Sequence, residues 1–98
     1  MKIVVLQSAR DDLADGYWFY EDQGKGLGDY FLESLFSDID SLVLYAGIHL
    51  KVFGNYRLLS KRFPYAIYYE IKLDTVFVKA VLDCRMDPKT HRRKLRDN

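Results

Sequence analysis

Two neighbouring segments with strand-like alternation constrain the fold of this 98-residue chain more than any other feature. Residues 65–71 and 76–83 are rich in β-branched and aromatic side chains, and only residues 72–75 separate them. A connection this short joins antiparallel neighbours, because a parallel pair needs a crossover of about a dozen residues or more. The sequence therefore predicts a β-hairpin at the centre of the fold.

Each strand of the hairpin has at least one apolar face. In the first strand, the side chains expected on one face are Tyr65, Ile67, Tyr69 and Ile71, and those on the other are Ala66, Tyr68 and Glu70. In the second strand, strict alternation places Val76, Val78, Ala80 and Leu82 opposite Phe77, Lys79, Val81 and Asp83. We expect Tyr69 in the core, whereas Tyr65 and Tyr68 are compatible with either the core or the surface.

The remaining pattern completes an α+β domain. Residues 3–6 form a short apolar strand, and Ser8 with Asp11 resembles a capping box that opens a helix ending near Gln23. Residues 29–46 predict a second amphipathic helix that stops at Gly47, and residues 56–59 predict a further strand. The expected order is β-α-α-β-β-β, with a helical hairpin on one face of a mostly antiparallel sheet and the other face partly open.

We expect residues 1–98 to form one domain, because a chain of this length has one small core. Residues 85–98 are its basic C-terminal segment, either a tail or a short helix starting at Pro88. Cys84 has no partner for an internal disulfide, and the N-terminal apolar run is too short for a signal peptide or a membrane span. These features predict a cytoplasmic protein that does not bind a membrane.

Charge is distributed unevenly between the two halves. Residues 1–50 contain three Lys or Arg against nine Asp or Glu, a net charge of −6, and residues 51–98 contain twelve against five, a net charge of +7. Clustered positive charge attracts nucleic acids and acidic proteins, although a generic solvated surface also has this composition. His49 and His91 lie far apart without a cysteine cluster, so neither a metal nor another cofactor is expected.

Four stretches of the chain, residues 56–59, 62–71, 76–82 and 85–88, resemble RelE/ParE toxins. The most specific part is residues 62–69 followed, after a hairpin, by an apolar strand that ends in Arg85 and Asp87-Pro88, as in the plasmid-stabilisation branch. The resemblance implies the growth-inhibiting toxin of a type II toxin–antitoxin pair, silenced by a cognate antitoxin. It leaves two targets open: RelE-like members cut messenger RNA on the ribosome, and ParE-like members poison DNA gyrase.

The resemblance supports the nuclease class at some positions and not at others. Arg85 and His91 match the positions of residues that help RelE-like nucleases to stabilise the phosphate and transfer protons. Ala66 stands where those nucleases carry an arginine, and Leu58-Leu59 where they carry paired lysines. We therefore favour a ParE-like toxin acting on gyrase, with a metal-independent, ribosome-dependent mRNA endonuclease as the alternative.

His91 and Arg85 each have a structural alternative to a catalytic role. His91 suits acid–base work near neutral pH if the basic segment folds against the sheet, but a histidine in such a segment is by default solvated. Arg85 is expected to bind a phosphate or an acidic antitoxin residue, or to form a surface ion pair.

Contacts to the antitoxin or to a nucleic acid are expected from basic and aromatic residues. They are Arg57, Lys61, Arg62, Tyr65, Tyr68, Lys79, Arg92 and Arg93. Tyrosines interleaved with positive charge stack on bases in some proteins, but more often such rings fill a sheet face. We expect the antitoxin to cover the open sheet face and the basic C-terminal segment, by strand addition or as a helix in a groove.

Overall fold

The structure, a computed structural model, describes residues 1–97 as one five-stranded sheet with helices on both of its faces. In chain order the elements are β1 (Lys2–Val5), α1 (Gln7–Glu21), α2 (Leu27–Asp40), α3 (Leu42–Tyr45), β2 (Lys51–Val52), β3 (Asn55–Leu59), β4 (Tyr65–Lys72), β5 (Thr75–Asp83) and α4 (Pro88–Asp97). The strand order is β1-β5-β4-β3-β2, in which β1 runs parallel to β5 and all other neighbours are antiparallel. The predicted α+β class, the helical hairpin and the central β4–β5 hairpin are confirmed.

The elements differ from the sequence prediction in two places. The helix expected at residues 29–46 is divided at Ser41 into α2 and α3, and the Ser41 hydroxyl donates to the Asp38 carbonyl at 2.6 Å. A strand of only two residues, Lys51–Val52, was not predicted, because so short a run has no detectable periodicity.

Within residues 1–97, no helix is both long and apolar enough to span a membrane.

The main core lies between the α1–α2 hairpin and one face of the sheet. Phe31 of α2 is fully buried and packs edge-on against Tyr65 and Phe63, with ring centroids 4.9 and 5.1 Å apart. Tyr20 of α1 stacks on Phe31 at 5.2 Å, so both helices contribute to one aromatic cluster. Tyr69 is fully buried as expected, and its hydroxyl accepts a hydrogen bond from the Gly47 backbone at 2.9 Å.

A β-bulge in β5 overturns part of the predicted face assignment. Tyr68 pairs with Ala80, but the adjacent Tyr69 pairs with Val78, so Lys79 is an extra residue in β5. Beyond the bulge, Val81 packs in the core under the helices, whereas Ala80 and Leu82 pack on the opposite face. The expectation that Ala80 and Leu82 share a face with Val76 is therefore wrong, because one inserted residue reverses the alternation.

Helix α1 binds the bulge through two polar side chains. The Ser8 hydroxyl donates to the Lys79 carbonyl at 2.6 Å, and the Val81 amide donates to Asp12 Oδ2 at 2.9 Å. The predicted capping box is thus wrong, since α1 starts at Gln7 and Leu6 occupies the N-cap position without a side-chain cap. The Ser8 hydroxyl instead satisfies a backbone group that the bulge removes from the ladder.

The bulge contact predicts a pH-dependent stability. Burial raises the pKa of Asp12 from 3.8 to about 6, against the opposing effect of the Val81 hydrogen bond. The native state therefore binds more protons than the unfolded state between these values, and stability falls as the pH rises through that window. A shift of two pKa units corresponds to about 3 kcal/mol, which solvent screening of this partly buried carboxylate reduces to about 1 kcal/mol.

Asp12→Asn is therefore expected to raise the free energy of unfolding by about 1 kcal/mol at pH values above 6, because the amide keeps an acceptor oxygen for Val81 without a buried charge. Urea unfolding across a pH series measures the effect. Asp40→Asn, at an exposed position of α2, is the control and should leave the pH profile unchanged. A variant that is less stable than the wild type at high pH would contradict the assignment.

Helix α4 covers part of the second sheet face. It begins at Pro88, as the sequence predicts, and buries His91 and Leu95, which lie one turn apart. A second apolar cluster joins Leu95 to residues of β4 and β5, namely Ala66, Tyr68, Ala80 and Leu82. The expectation of an open face is therefore wrong for this part of the sheet, because the basic segment folds back onto it.

Candidate functional site

The candidate functional site lies where α4 packs on β3, β4 and the end of β5. A cavity of about 100 Å³ opens there, beside three residues of the predicted site, Arg57, Tyr68 and His91. Its lining residues are Phe53, Arg57, Ala66, Tyr68, Cys84, Met86, Pro88 and His91. The fold thus brings a cation, a phenol, a thiol and an imidazole together, although they come from β3, β4, the β5–α4 connection and α4.

His91 is buried, with 5% of its surface exposed, and both of its ring nitrogens have partners. Nε2 lies 2.7 Å from the Asp83 carbonyl oxygen, which only accepts, so Nε2 carries the proton and donates. In the neutral ring, Nδ1 then accepts from the Tyr68 hydroxyl at 2.9 Å. The expectation of a solvated histidine is wrong, because α4 docks through this side chain and leaves neither nitrogen free for a substrate.

Tyr68 and Tyr65 are both buried, with exposed fractions of 1% and 6%. Burial raises the pKa of Tyr65 to about 12 and, despite the nearby Arg57, also raises the pKa of Tyr68. Both phenols are therefore neutral at physiological pH. Of the two roles that the sequence leaves open for these rings, the structure supports packing, since neither presents a face to solvent on which a base would stack.

Arg85 is held by its neighbour Asp83 in a bidentate ion pair. Arg85 Nε and Nη2 donate to the two carboxylate oxygens at 2.9 and 2.8 Å, and the Arg85 backbone amide adds a third bond at 2.9 Å. This pairing lowers the pKa of Asp83 and raises the pKa of Arg85. The Arg85 guanidinium also lies 5.7 Å from the Phe19 ring of α1.

Arg85 and His91 bind different groups of Asp83. Arg85 binds the Asp83 carboxylate on the side of α1, whereas His91 binds the Asp83 carbonyl on the side of α4. Asp83 is thus the residue that connects the two, and the sequence analysis did not single it out. An acidic residue two positions before an arginine was the available signal, but this spacing is too common to be specific.

The other predicted basic residues lie at separate places. Lys79 sits at the bulge, 3.9 Å from Glu70, and Lys61 and Arg62 lie in the β3–β4 connection beside α2. Arg92 and Arg93 are exposed on α4, and their side chains make no hydrogen bond or ion pair within residues 1–97. The structure therefore divides these cations among several surfaces, of which the α4 surface is the most basic.

Cys84 is a lining residue that sequence reasoning did not place in the site. The residue is exposed overall, but partial desolvation by its neighbours raises the pKa of its thiol, although Arg57 acts in the opposite direction. A thiol with a raised pKa is protonated near neutral pH and is a poor nucleophile. The environment of Cys84 therefore does not activate its thiol for covalent chemistry.

Comparison with solved structures supports this fold, whereas comparisons of sequence find no match. No family model matches the chain, and no curated protein matches it by sequence. The structure is similar to a solved chain described as "Chromosomal ParDE TA system from P. aeruginosa", with a TM-score of 0.69 and 18% identity. The match covers 83% of this chain and 92% of the other. The chain therefore has a RelE/ParE-like fold, and the similar chain comes from a ParDE system.

Proposed function

We propose that this chain is the toxin of a type II toxin–antitoxin pair and that it inhibits growth by acting on DNA gyrase in the cytoplasm. The RelE/ParE-like fold and the likeness to a ParDE chain support the toxin class. Fold alone does not specify chemistry, so the choice of target depends on the residues of the site. The alternative is cleavage of messenger RNA on the ribosome.

The observation that carries the choice of target is the engagement of His91. Metal-independent RNA cleavage needs a base within reach of the 2′-hydroxyl and cations around the phosphate. Both nitrogens of His91 are bonded within the protein, and Arg85 is paired with Asp83. Ala66, at the position of a nuclease arginine, is buried under α4 at 1% exposure. These contacts favour a binding toxin over a nuclease.

The exposed face of α4 is the surface that best fits an acidic antitoxin segment. Arg92 and Arg93 lie there without intramolecular partners in the described part of the chain, and Lys89 and Arg96 extend the same basic helix. Because such residues attract an acidic partner over a distance, we propose that this face steers the antitoxin to the toxin. We further propose that the toxin–antitoxin pair serves to stabilise a plasmid.

The target is tested with the purified chain in two assays. We expect gyrase supercoiling to fall and linear DNA to accumulate, while translation on programmed ribosomes continues and the message stays intact. The alternative predicts the reverse, with message cut only when ribosomes are present and cutting lost in Arg85→Ala. Arg96→Ala, a solvent-exposed arginine of α4, is the matched control. Expression without an antitoxin that leaves growth unchanged would contradict the toxin assignment itself.

A further inference from the structure

A second cavity lies outside the α4 site, between α2 and the β3–β4 connection. Its volume is about 200 Å³. The lining residues are all polar or charged, namely Ser34, Ser37, Asp38, Ser41, Lys61 and Arg62. Nothing in the proposed toxin function uses this cavity, and its residues come from a helix face and a loop that only the tertiary fold brings together.

Ser34 is the residue of this cavity that points to a ligand. It is 96% buried, with 4% exposure, and its hydroxyl oxygen makes no hydrogen bond within residues 1–97. A buried hydroxyl without a partner is destabilising, and most buried polar groups in proteins have one. Because alanine at this position would avoid that penalty and favour the helix, a serine here is best explained by something that the hydroxyl binds.

The cavity contains two cations that have no intramolecular ion pair. Neither Lys61 nor Arg62 pairs with a carboxylate in residues 1–97, although Asp38 lines the same cavity. Arg62 lies 5.9 Å from the Tyr30 ring, which orients its guanidinium beside the cavity without neutralising it. The lining therefore has a net charge of +1, which favours a single anionic group.

Asp38 is fixed as a hydrogen-bond acceptor. Its carboxylate is buried at 7% exposure, and Oδ2 accepts from the Ser60 hydroxyl at 2.7 Å and from the Lys61 amide at 3.3 Å. Oδ1 has no partner in the described residues. An anion that enters the cavity must therefore either tolerate this negative charge or donate a proton to it.

We propose that this cavity binds a phosphate group that carries a P–OH, either inorganic hydrogen phosphate or a phosphomonoester. Lys61 and Arg62 neutralise the anionic oxygens, and the Ser37 hydroxyl donates to them. The Ser34 hydroxyl, which is closed to solvent in the structure, turns about its Cα–Cβ bond to donate as well. The P–OH donates to Asp38 Oδ1, so the carboxylate becomes a favourable partner. Sulfate and phosphodiesters have no proton to donate near neutral pH, and Asp38 repels them.

Titration calorimetry of the purified full chain at about pH 6 tests the proposal, because a phosphomonoester, whose second pKa is about 6, carries the required P–OH in about half of its molecules at that pH. The probes are inorganic phosphate, AMP as a phosphomonoester, and sulfate and dimethyl phosphate as anions without a proton. We expect phosphate or AMP to bind at least about tenfold more tightly than sulfate and dimethyl phosphate. Tighter binding of AMP would assign a terminal phosphomonoester, and tighter binding of phosphate would assign the free anion. Equal binding of phosphate and sulfate would overturn the proposal, as would the absence of any phosphate binding.

Three substitutions and one control separate a binding role from a structural one. Ser34→Ala should weaken phosphate binding about tenfold while leaving the urea midpoint unchanged or higher, because it removes an unpartnered hydroxyl. Asp38→Asn should remove the discrimination against sulfate, since an amide donates as well as accepts. Lys61→Ala should weaken binding, whereas Lys25→Ala, an exposed lysine of the α1–α2 loop, should not. Unchanged phosphate affinity in Ser34→Ala would overturn the proposal.

Discussion

Gly28→Ala is expected to lower the free energy of unfolding by about 2–3 kcal/mol, because it forces α1 and α2 apart. A Cβ atom at Gly28 would lie 2.6 Å from Tyr17 Cε1 and 2.9 Å from the Tyr17 carbonyl oxygen. The ring has some freedom to move, but the carbonyl belongs to the backbone of α1 and does not. The clash is therefore relieved only by displacing one helix from the other.

A decrease in the free energy of unfolding is informative here, because alanine in a helix is ordinarily about 1 kcal/mol more favourable than glycine. Urea unfolding followed by circular dichroism measures it. Glu33→Ala, at an exposed position of the same helix, is the control and should change stability by less than about 0.5 kcal/mol. If Gly28→Ala were as stable as the wild type, this result would contradict the close contact between α1 and α2 at Gly28.

His91→Ala is expected to cost about 2–4 kcal/mol and to release α4 from the sheet. The substitution leaves the Tyr68 hydroxyl without its imidazole partner, and an unsatisfied buried group costs about 1–3 kcal/mol. It also removes one of the two hydrogen bonds to the Asp83 carbonyl, which keeps the bond from the Met86 amide at 3.1 Å, at a further cost of about 1 kcal/mol. Tyr68→Phe, which removes one of these bonds and keeps the ring, should cost about 1–2 kcal/mol. Because the two residues share a hydrogen bond, the double variant should lose less than the sum of the single losses.

Hydrogen exchange of the α4 amides, together with urea unfolding, distinguishes local release from global destabilisation. In His91→Ala the amides of residues 91–97 should exchange faster than those of β4. Arg92→Ala, the exposed neighbour on the same helix, controls for loss of side-chain charge and should retain slow exchange. A fully additive double variant would show that Tyr68 and His91 act independently and would contradict the bond between them.

The hydrogen bonds of His91 also affect the choice between a nuclease and a toxin that acts on gyrase. A histidine at the position of a nuclease base is a weak indicator when its nitrogens are already engaged, and the sequence contains no sign of that engagement. Only the packing of α4 on β4 brings Nδ1 to the Tyr68 hydroxyl. The gyrase proposal therefore depends on a contact between residues 23 positions apart, supported by the uncharged Ala66.

The sequence by itself determined the local elements, because periodicity and turn composition act over a few residues. Alternation in residues 65–71 predicted β4 and its two faces, and Pro88 correctly marked the start of α4. Gly47, in the left-handed region at a φ of 97°, ended the helical segment where expected. The α+β class followed from the order of these elements.

The tertiary structure alone decided what depends on long-range contacts. The bulge at Lys79 is stabilised by Ser8 and Asp12 from a distant helix, and no local signal in β5 predicts the reversed faces of Ala80 and Val81. The covered sheet face, the buried His91 and the Ser34 cavity likewise require separate segments to meet. Such contacts arise because the core is close-packed and every element packs against several others at once. The residue pattern of a single segment contains no information about which distant residues will pack against it.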